Sequence, residues 1–164
     1  MIVIADASPL NYLILIGDVD VLPKMYGRVV VPAGVARELT AGGSPSLVRT
    51  WASAAPDWIE IRRVEVPAEA GLGAVDEGEA EAIFLAEGLR PDVLLIIDDR
   101  DGRREAARRG IATAGTLGVL NDAAGRGLID LESALNRLGR TTFRMSPALV
   151  RDLLERERRR RDES

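Results

Sequence analysis

Two short apolar runs that each break off at an acid set the frame into which the rest of the chain must fit. Ile2-Val3-Ile4-Ala5 ends at Asp6, and Val93-Leu94-Leu95-Ile96-Ile97 ends at Asp98-Asp99. Neither run alternates with polar residues, so each reads as a strand of a parallel sheet buried on both faces. Open α/β sheets bind ligands in the crevice outside the carboxyl ends of their strands, which gives acids at those ends more weight than acids on a surface helix. If the two strands are neighbours across a switch in strand order, Asp6 and Asp98 or Asp99 stand side by side.

The remaining segments fit between these runs. Ser8-Pro9 is a helix-start signal, with the hydroxyl as a cap and proline tolerated in the first turn, followed by Leu10, Leu13 and Ile14. A second short helix over 18–26 leads to a buried strand at Arg28-Val29-Val30-Val31. Helices follow over 32–41, which carries Glu38, and from Ser44-Pro45 to Ala55. Residues 58–64 alternate loosely, as an edge strand does, and 67–73 form a loop. Asp76-Glu77-Gly78-Glu79 opens a helix to about Glu87; an arginine-bearing helix leads from Asp99 to Gly110, and Ile111-Ala112-Thr113-Ala114 forms a last short strand. Helices over 116–124, 131–138 and 147–158 complete the chain. This alternation predicts an α/β three-layer sandwich: a four- or five-stranded, mainly parallel sheet flanked by helices, with right-handed crossovers. The 164 residues fit one domain, 1–164, with a basic C-terminal helix or tail from about residue 147.

The sequence has no cysteine and no histidine. That removes thiolate nucleophiles, cysteine zinc sites and the commonest general base, so chemistry rests on carboxylates, hydroxyls, arginines or a hard metal ion. The net charge of −4 argues against a uniformly basic nucleic-acid binder, yet arginine is unevenly spread. Arg100, Arg103, Arg104, Arg108 and Arg109 cluster after the second acid pair, and Arg151, Arg156, Arg158, Arg159, Arg160 and Arg161 crowd the C-terminus. No apolar stretch approaches the ~20 residues that cross a bilayer, and the chain begins in a strand without a leader pattern. The expectation is a soluble, cytoplasmic protein with no membrane partner.

Taken singly, Asp6 also reads as a turn or cap acid and Asp99 as the cap of the arginine-rich helix. Taken as a pair at equivalent strand ends, they favour function. Glu38 shares a helical face with Gly34, Val35 and Ala41, and Glu79 with Val75, Asp76, Ala82, Ile83 and Ala86, so both interrupt apolar stripes. A buried acid costs several kcal/mol (roughly 3–5 when its partner is missing) unless paired or coordinated. Glu77, Glu81 and Glu87 read instead as the solvated side of their helix. Four carboxylates converging without histidine or cysteine describe an oxygen-only site, which suits Mg²⁺ or Mn²⁺. Two such ions about 4 Å apart activate water and stabilise a leaving oxygen in phosphodiester hydrolysis without a histidine base.

The ordered set Val3-Ile4-Ala5-Asp6-Ala7-Ser8-Pro9-Leu10, Val31-Pro32 to Glu38-Leu39, Asp76-Glu77-Gly78-Glu79-Ala80-Glu81-Ala82-Ile83, Ile97-Asp98-Asp99-Arg100 and Ala114-Gly115-Thr116-Leu117-Gly118-Val119-Leu120 resembles the PIN-domain family. Within it the chain looks like the PIN-like nuclease branch related to VapC-type toxins of toxin–antitoxin pairs. The resemblance implies a metal-dependent ribonuclease that cleaves RNA, is held in check by a small antitoxin protein and forms a homodimer. It maps the family's acids onto Asp6, Glu38, Glu79 and Asp99. Asp98 is open as the alternative to Asp99, and Asp76 as the alternative to Glu79. Ser8 matches the small polar position after the first acid. Arg100, Arg103 and Arg104 are the candidates for gripping RNA, ahead of the C-terminal arginines, whose other reading is a solvated helix end.

Two other uses of strand-end acids fit less well. A haloacid-dehalogenase phosphatase wants a second acid two residues after the first, where this chain has Ser8; a receiver domain wants a lysine on a late strand, and Lys24 is the single lysine. The rival from another class is a PIN-like module that binds RNA or protein without cutting it.

Overall fold

The computed structural model describes residues 1–164. Five strands, β1 (Ile2–Ala5), β2 (Val29–Pro32), β3 (Ile59–Arg62), β4 (Val93–Ile96) and β5 (Ala112–Ala114), pair in the order β3-β2-β1-β4-β5. Every pairing is parallel. The chain builds outward from β1 through β2 to β3, then returns to the other side of β1 with β4, so the switch lies between β1 and β4. Their register sets Ala5 beside Ile96, and the Asp6 N–H donates to the Ile96 carbonyl at 2.9 Å. Asp6 and Asp98 therefore leave the sheet at adjacent strand ends, the arrangement expected if the two strands are neighbours.

Strand side chains point alternately to opposite faces, and the two cores follow that period. Val3, Ala5, Val29, Val31 and Ile96 enter one core, while Ile4, Val30, Val93, Leu95 and Ile97 enter the other. The first face is covered by α1 (Ala7–Leu15), α2 (Val21–Tyr26), α3 (Ala33–Thr40), α4 (Ser46–Ser53), α7 (Thr116–Gly125), α8 (Leu131–Gly139) and α9 (Pro147–Asp162). The second is covered by α5 (Glu77–Gly88) and α6 (Arg100–Arg108). Helices on both faces explain why the central strands carry no polar alternation. β3 lies at the sheet edge with Ile61 exposed, as its looser pattern indicates. The fold is the expected three-layer α/β sandwich. No helix is long and apolar enough to cross a membrane.

Three local expectations change. The first helix begins at Ala7 with Asp6 in the cap position, and the Ser8 hydroxyl bonds elsewhere instead of capping. The 67–73 loop contains a 3-10 turn, Ala68–Ala70. The last helix runs to Asp162 instead of 158, laced by Arg156–Asp152 at 2.9 Å, Arg160–Glu157 at 2.8 Å and Arg161–Glu157 at 3.3 Å.

Candidate active site

The carboxyl edge of the sheet at the β1/β4 switch collects six acids from four places. Asp6 ends β1, Asp98 and Asp99 follow β4, Asp76 and Glu79 stand at the start of α5, and Glu38 lies near the end of α3. Asp6 and Glu79 are buried, at 7% and 5% exposure. Burial pushes the Asp6 carboxyl up to about 7; the Ala7 N–H works against this, and the charges of Asp76, Glu38 and Asp98 add to it. Burial likewise pushes Glu79 up to about 8, reinforced by Asp99, Asp6 and Asp76. Burial and Asp76 raise Glu38 as well. The strongest charges acting on these groups are thus other carboxylates, and no cation offsets them.

Each acid is held differently. Asp6 occupies the cap position of α1, yet its side chain makes no capping bond to the helix. Asp76 caps α5, accepting from the Glu79 N–H at 3.0 Å. That bond fixes where Glu79 leaves the helix. Asp99 caps α6 by accepting from the Gly102 N–H at 2.8 Å, so its structural reading holds, and it is exposed beside Glu79. Asp98 accepts from the Thr116 N–H and hydroxyl, each at 2.7 Å, and from the Ser8 hydroxyl at 3.0 Å. Ser8 is therefore an orienting donor to the acid of the neighbouring strand. Thr116, which the sequence reading did not single out, contributes more to that acid than Ser8 does; it lay within the quoted Ala114-Gly115-Thr116 segment.

Of the six acids at this edge, Glu79 is the one with a buried oxygen, Oε1, that has no hydrogen-bond partner. A Cβ at Gly102 would lie 1.8 Å from that oxygen, so the first turn of α6 comes close enough only because residue 102 is glycine. Buried polar atoms are almost always satisfied, and an unsatisfied carboxylate oxygen among other acids fits a cation. The donor set is all oxygen, the chemistry of Mg²⁺ or Mn²⁺ sites. No three acids already stand in a ligating arrangement round a single point.

Three sequence expectations about acids are corrected. Glu38 does not face the core: the buried residues of α3 are Gly34, Val35 and Leu39, and Glu38 is exposed on the wall of a cleft it shares with Asp76. Glu81 is not solvated; it is 4% exposed. Its Oε1 accepts from the Gly34 N–H at 3.3 Å, and its Oε2 has no hydrogen-bond partner, with Arg37 at 3.8 Å. The α3 N-terminus has no capping side chain of its own, so Glu81 supplies an acceptor to it from α5. Glu87 is half-buried and paired with Arg109 at 2.6 Å, whereas Glu77 is exposed as expected.

The arginines divide along the same lines. Arg108 and Arg109 bind Glu105 at 2.6 and 2.8 Å, which holds that carboxyl down at about 2. Arg100, Arg103 and Arg104 are exposed and take part in none of the ion pairs, and Arg103 borders the same groove as Asp98.

A parallel five-stranded sandwich with acids gathered at its switch point defines an α/β protein with an acidic site at the carboxyl edge of its sheet. Over residues 2–158 the sequence matches the model of family DUF3368, described as a PIN domain, and the chain belongs to that PIN-domain family. PIN domains are typically nucleases and generally use divalent metals. No curated protein and no solved structure gives a significant match.

Proposed function

We propose that this protein is a divalent-metal-dependent endoribonuclease. One observation carries the reading: in a PIN domain, two buried acids at the sheet's switch point, Asp6 and Glu79, face other carboxylates with no cation to balance them. Asp6, Glu79 and Asp99 would hold the ion, with Asp76, Asp98 and Glu38 at the margin. A bound Mg²⁺ or Mn²⁺ would supply water activation and charge stabilisation at the phosphate. The chain's own part is to fix the acids: Asp76 sets the start of Glu79, Ser8 and Thr116 orient Asp98, and Gly102 leaves room for the Glu79 oxygen. Arg100, Arg103 and Arg104 hold RNA phosphates beside them.

Purified protein incubated with structured and unstructured RNAs should cleave with Mg²⁺ or Mn²⁺ and not with EDTA, and Glu79→Gln should abolish cleavage. Intact RNA under every metal condition, with binding retained, would instead make this a non-cutting RNA-binding module. The resemblance to VapC-type toxins extends the proposal to a toxin paired with a small antitoxin, acting as a homodimer in the cytoplasm. Growth arrest on expression, absent in Glu79→Gln, tests that extension.

A further inference from the structure

Glu81 stands two residues after Glu79 on α5 and lies outside the acid cluster, yet it is buried and its Oε2 has no hydrogen-bond partner. Its Oε1 accepts from the Gly34 N–H of α3 at 3.3 Å, a long bond. The Arg37 guanidinium stands 3.8 Å from Oε2 and gives its shorter bond, 2.7 Å, to the exposed Glu77. As a source of stability this is a poor joint between two helices. Apolar side chains of similar volume often replace buried charges at no cost, so methionine here would hold α3 and α5 together about as well. What the carboxylate adds is direction. A hydrogen-bond acceptor, set at the positive end of the α3 dipole, favours one position of the helix end, whereas an apolar side chain packs over a range of positions.

The two helices meet through a glycine on each side. Gly34 of α3 leaves the notch that holds the carboxylate, since a Cβ there would lie 1.8 Å from Glu81 Oε2. Gly78 of α5 lets α3 approach, since a Cβ there would lie 3.2 Å from Val35 Cγ2 and 3.3 Å from the Val35 nitrogen. Neither glycine has a positive φ, so both serve close approach and not an unusual backbone. One turn beyond Gly34, about 6 Å along the axis at ~1.5 Å per residue, α3 carries Glu38. Glu38 and Asp76 line one cleft with Gly34 and Gly78. The charge of Asp76 acts on Glu38, and that of Glu38 acts on Asp6. The place of α3 on α5 therefore sets how closely Glu38 approaches the other acids.

We propose that Glu81 is a positioning residue of the acid site: by seating its carboxylate on the Gly34 N–H, it fixes where Glu38 stands relative to Asp76, and so how tightly the cluster holds a divalent ion. Both Glu81 oxygens are turned to α3, which makes its action indirect. Its consequence for cleavage rests on the nuclease reading, whereas its effect on ion binding is measured without RNA.

The test is calorimetric titration of the full chain with Mn²⁺, with folding followed by circular dichroism. Glu81→Met should weaken Mn²⁺ binding about tenfold, and Glu81→Gln, whose amide oxygen still accepts from Gly34, should stay within about threefold of the parent. Gly34→Ala, which drives the carboxylate from its notch from the α3 side, should weaken binding as Glu81→Met does. In a Glu38→Ala background, Glu81→Met should have no further effect, because its route runs through Glu38. Full affinity in a folded Glu81→Met leaves Glu81 as a helix cap alone and overturns the proposal. Equal losses in Glu81→Gln and Glu81→Met overturn it in favour of the charge acting on the ion directly. An undiminished further loss in the Glu38→Ala background overturns the route through α3. Should Glu81→Met not fold, Gly34→Ala decides: weakened binding beside a retained Glu81→Gln upholds the role, and parental binding overturns it. A parent that shows this pattern with Mn²⁺ but leaves every RNA intact keeps the positioning role and loses the nuclease reading. A parent that cuts RNA, with Glu81→Met and Gly34→Ala binding Mn²⁺ and cutting equally well, loses the positioning role alone. A parent that takes up no divalent ion loses both.

Discussion

Glu79 concentrates the physics of the site in one side chain. Its folded carboxyl titrates at about 8, against ~4.3 in an unfolded chain, so between those values the folded protein keeps a proton that the unfolded chain has lost. Its contribution to stability is therefore complete below about pH 4 and is lost as pH rises through about 8, the sign opposite to that of a salt-bridged acid. Asp6, pushed up to about 7, acts in the same direction. Thermal melting of metal-free protein should fall as pH rises from about 5 to about 8, and Glu79→Gln should flatten that slope while leaving the metal-free protein at least as stable at the alkaline end. Millimolar Mg²⁺ or Mn²⁺ should raise the parent's melting temperature, the added stability being about 2.7 kcal/mol at a hundred times the dissociation constant, and should scarcely move Glu79→Gln. Asp99 separates two roles by substitution: Asn caps a helix as well as Asp, so Asp99→Asn should hold stability within about 0.5 kcal/mol while Asp99→Ala loses about 1. If Asp99→Asn also keeps its full metal response, Asp99 is a cap and not a ligand. Asp6 and Glu79 were legible because each broke an apolar pattern. Glu81 was not, because the rule that reads a helix as one wet and one dry face fails for α5, where seven residues around the helix are buried.

That failure has its cause at the scale of elements. α5 packs against the sheet and is flanked by α3 and α6, so the carboxylates two residues apart, Glu79 and Glu81, emerge towards different neighbours. Glu79 meets Gly102 of α6, and Glu81 meets Gly34 of α3. A Cβ at Gly34 would lie 1.8 Å from Glu81 Oε2, so Gly34→Ala must displace the carboxylate or part the two helices, at about 1–3 kcal/mol. Gly34→Ala with Glu81→Ala should cost less than the sum of the two changes measured singly, because removing the carboxylate removes the clash; strict additivity in denaturant melts would show that the two residues act separately. The strands and the order of elements were readable from apolar runs and punctuation. Helix contacts were not, since a lone glycine in a sequence does not reveal what approaches it.

For the molecule as a whole, the apolar runs implied that β1 and β4 are neighbours, while the full order β3-β2-β1-β4-β5 became visible only in the folded sheet. The proposed homodimer is checked by sedimentation at micromolar concentration, where a monomer mass would remove it. RNA affinity should fall steeply with salt, and Arg100→Ala, Arg103→Ala and Arg104→Ala together should reduce that slope; an unchanged slope would mean that α6 does not hold the backbone. Because β1 pairs with β4 across most of the chain's first hundred residues, Ile2 opposite Val93, the site is also a clock. A ribosome that has released β1, α3 and the start of α5 has made Asp6, Glu38 and Glu79 but not their partners from the second acid pair. The innermost strand waits with one edge open until β4 arrives, and Asp99 reaches Glu79 only after that edge is closed. A nascent or truncated chain therefore carries only part of the acid cluster, and the site is assembled only once synthesis has passed β4.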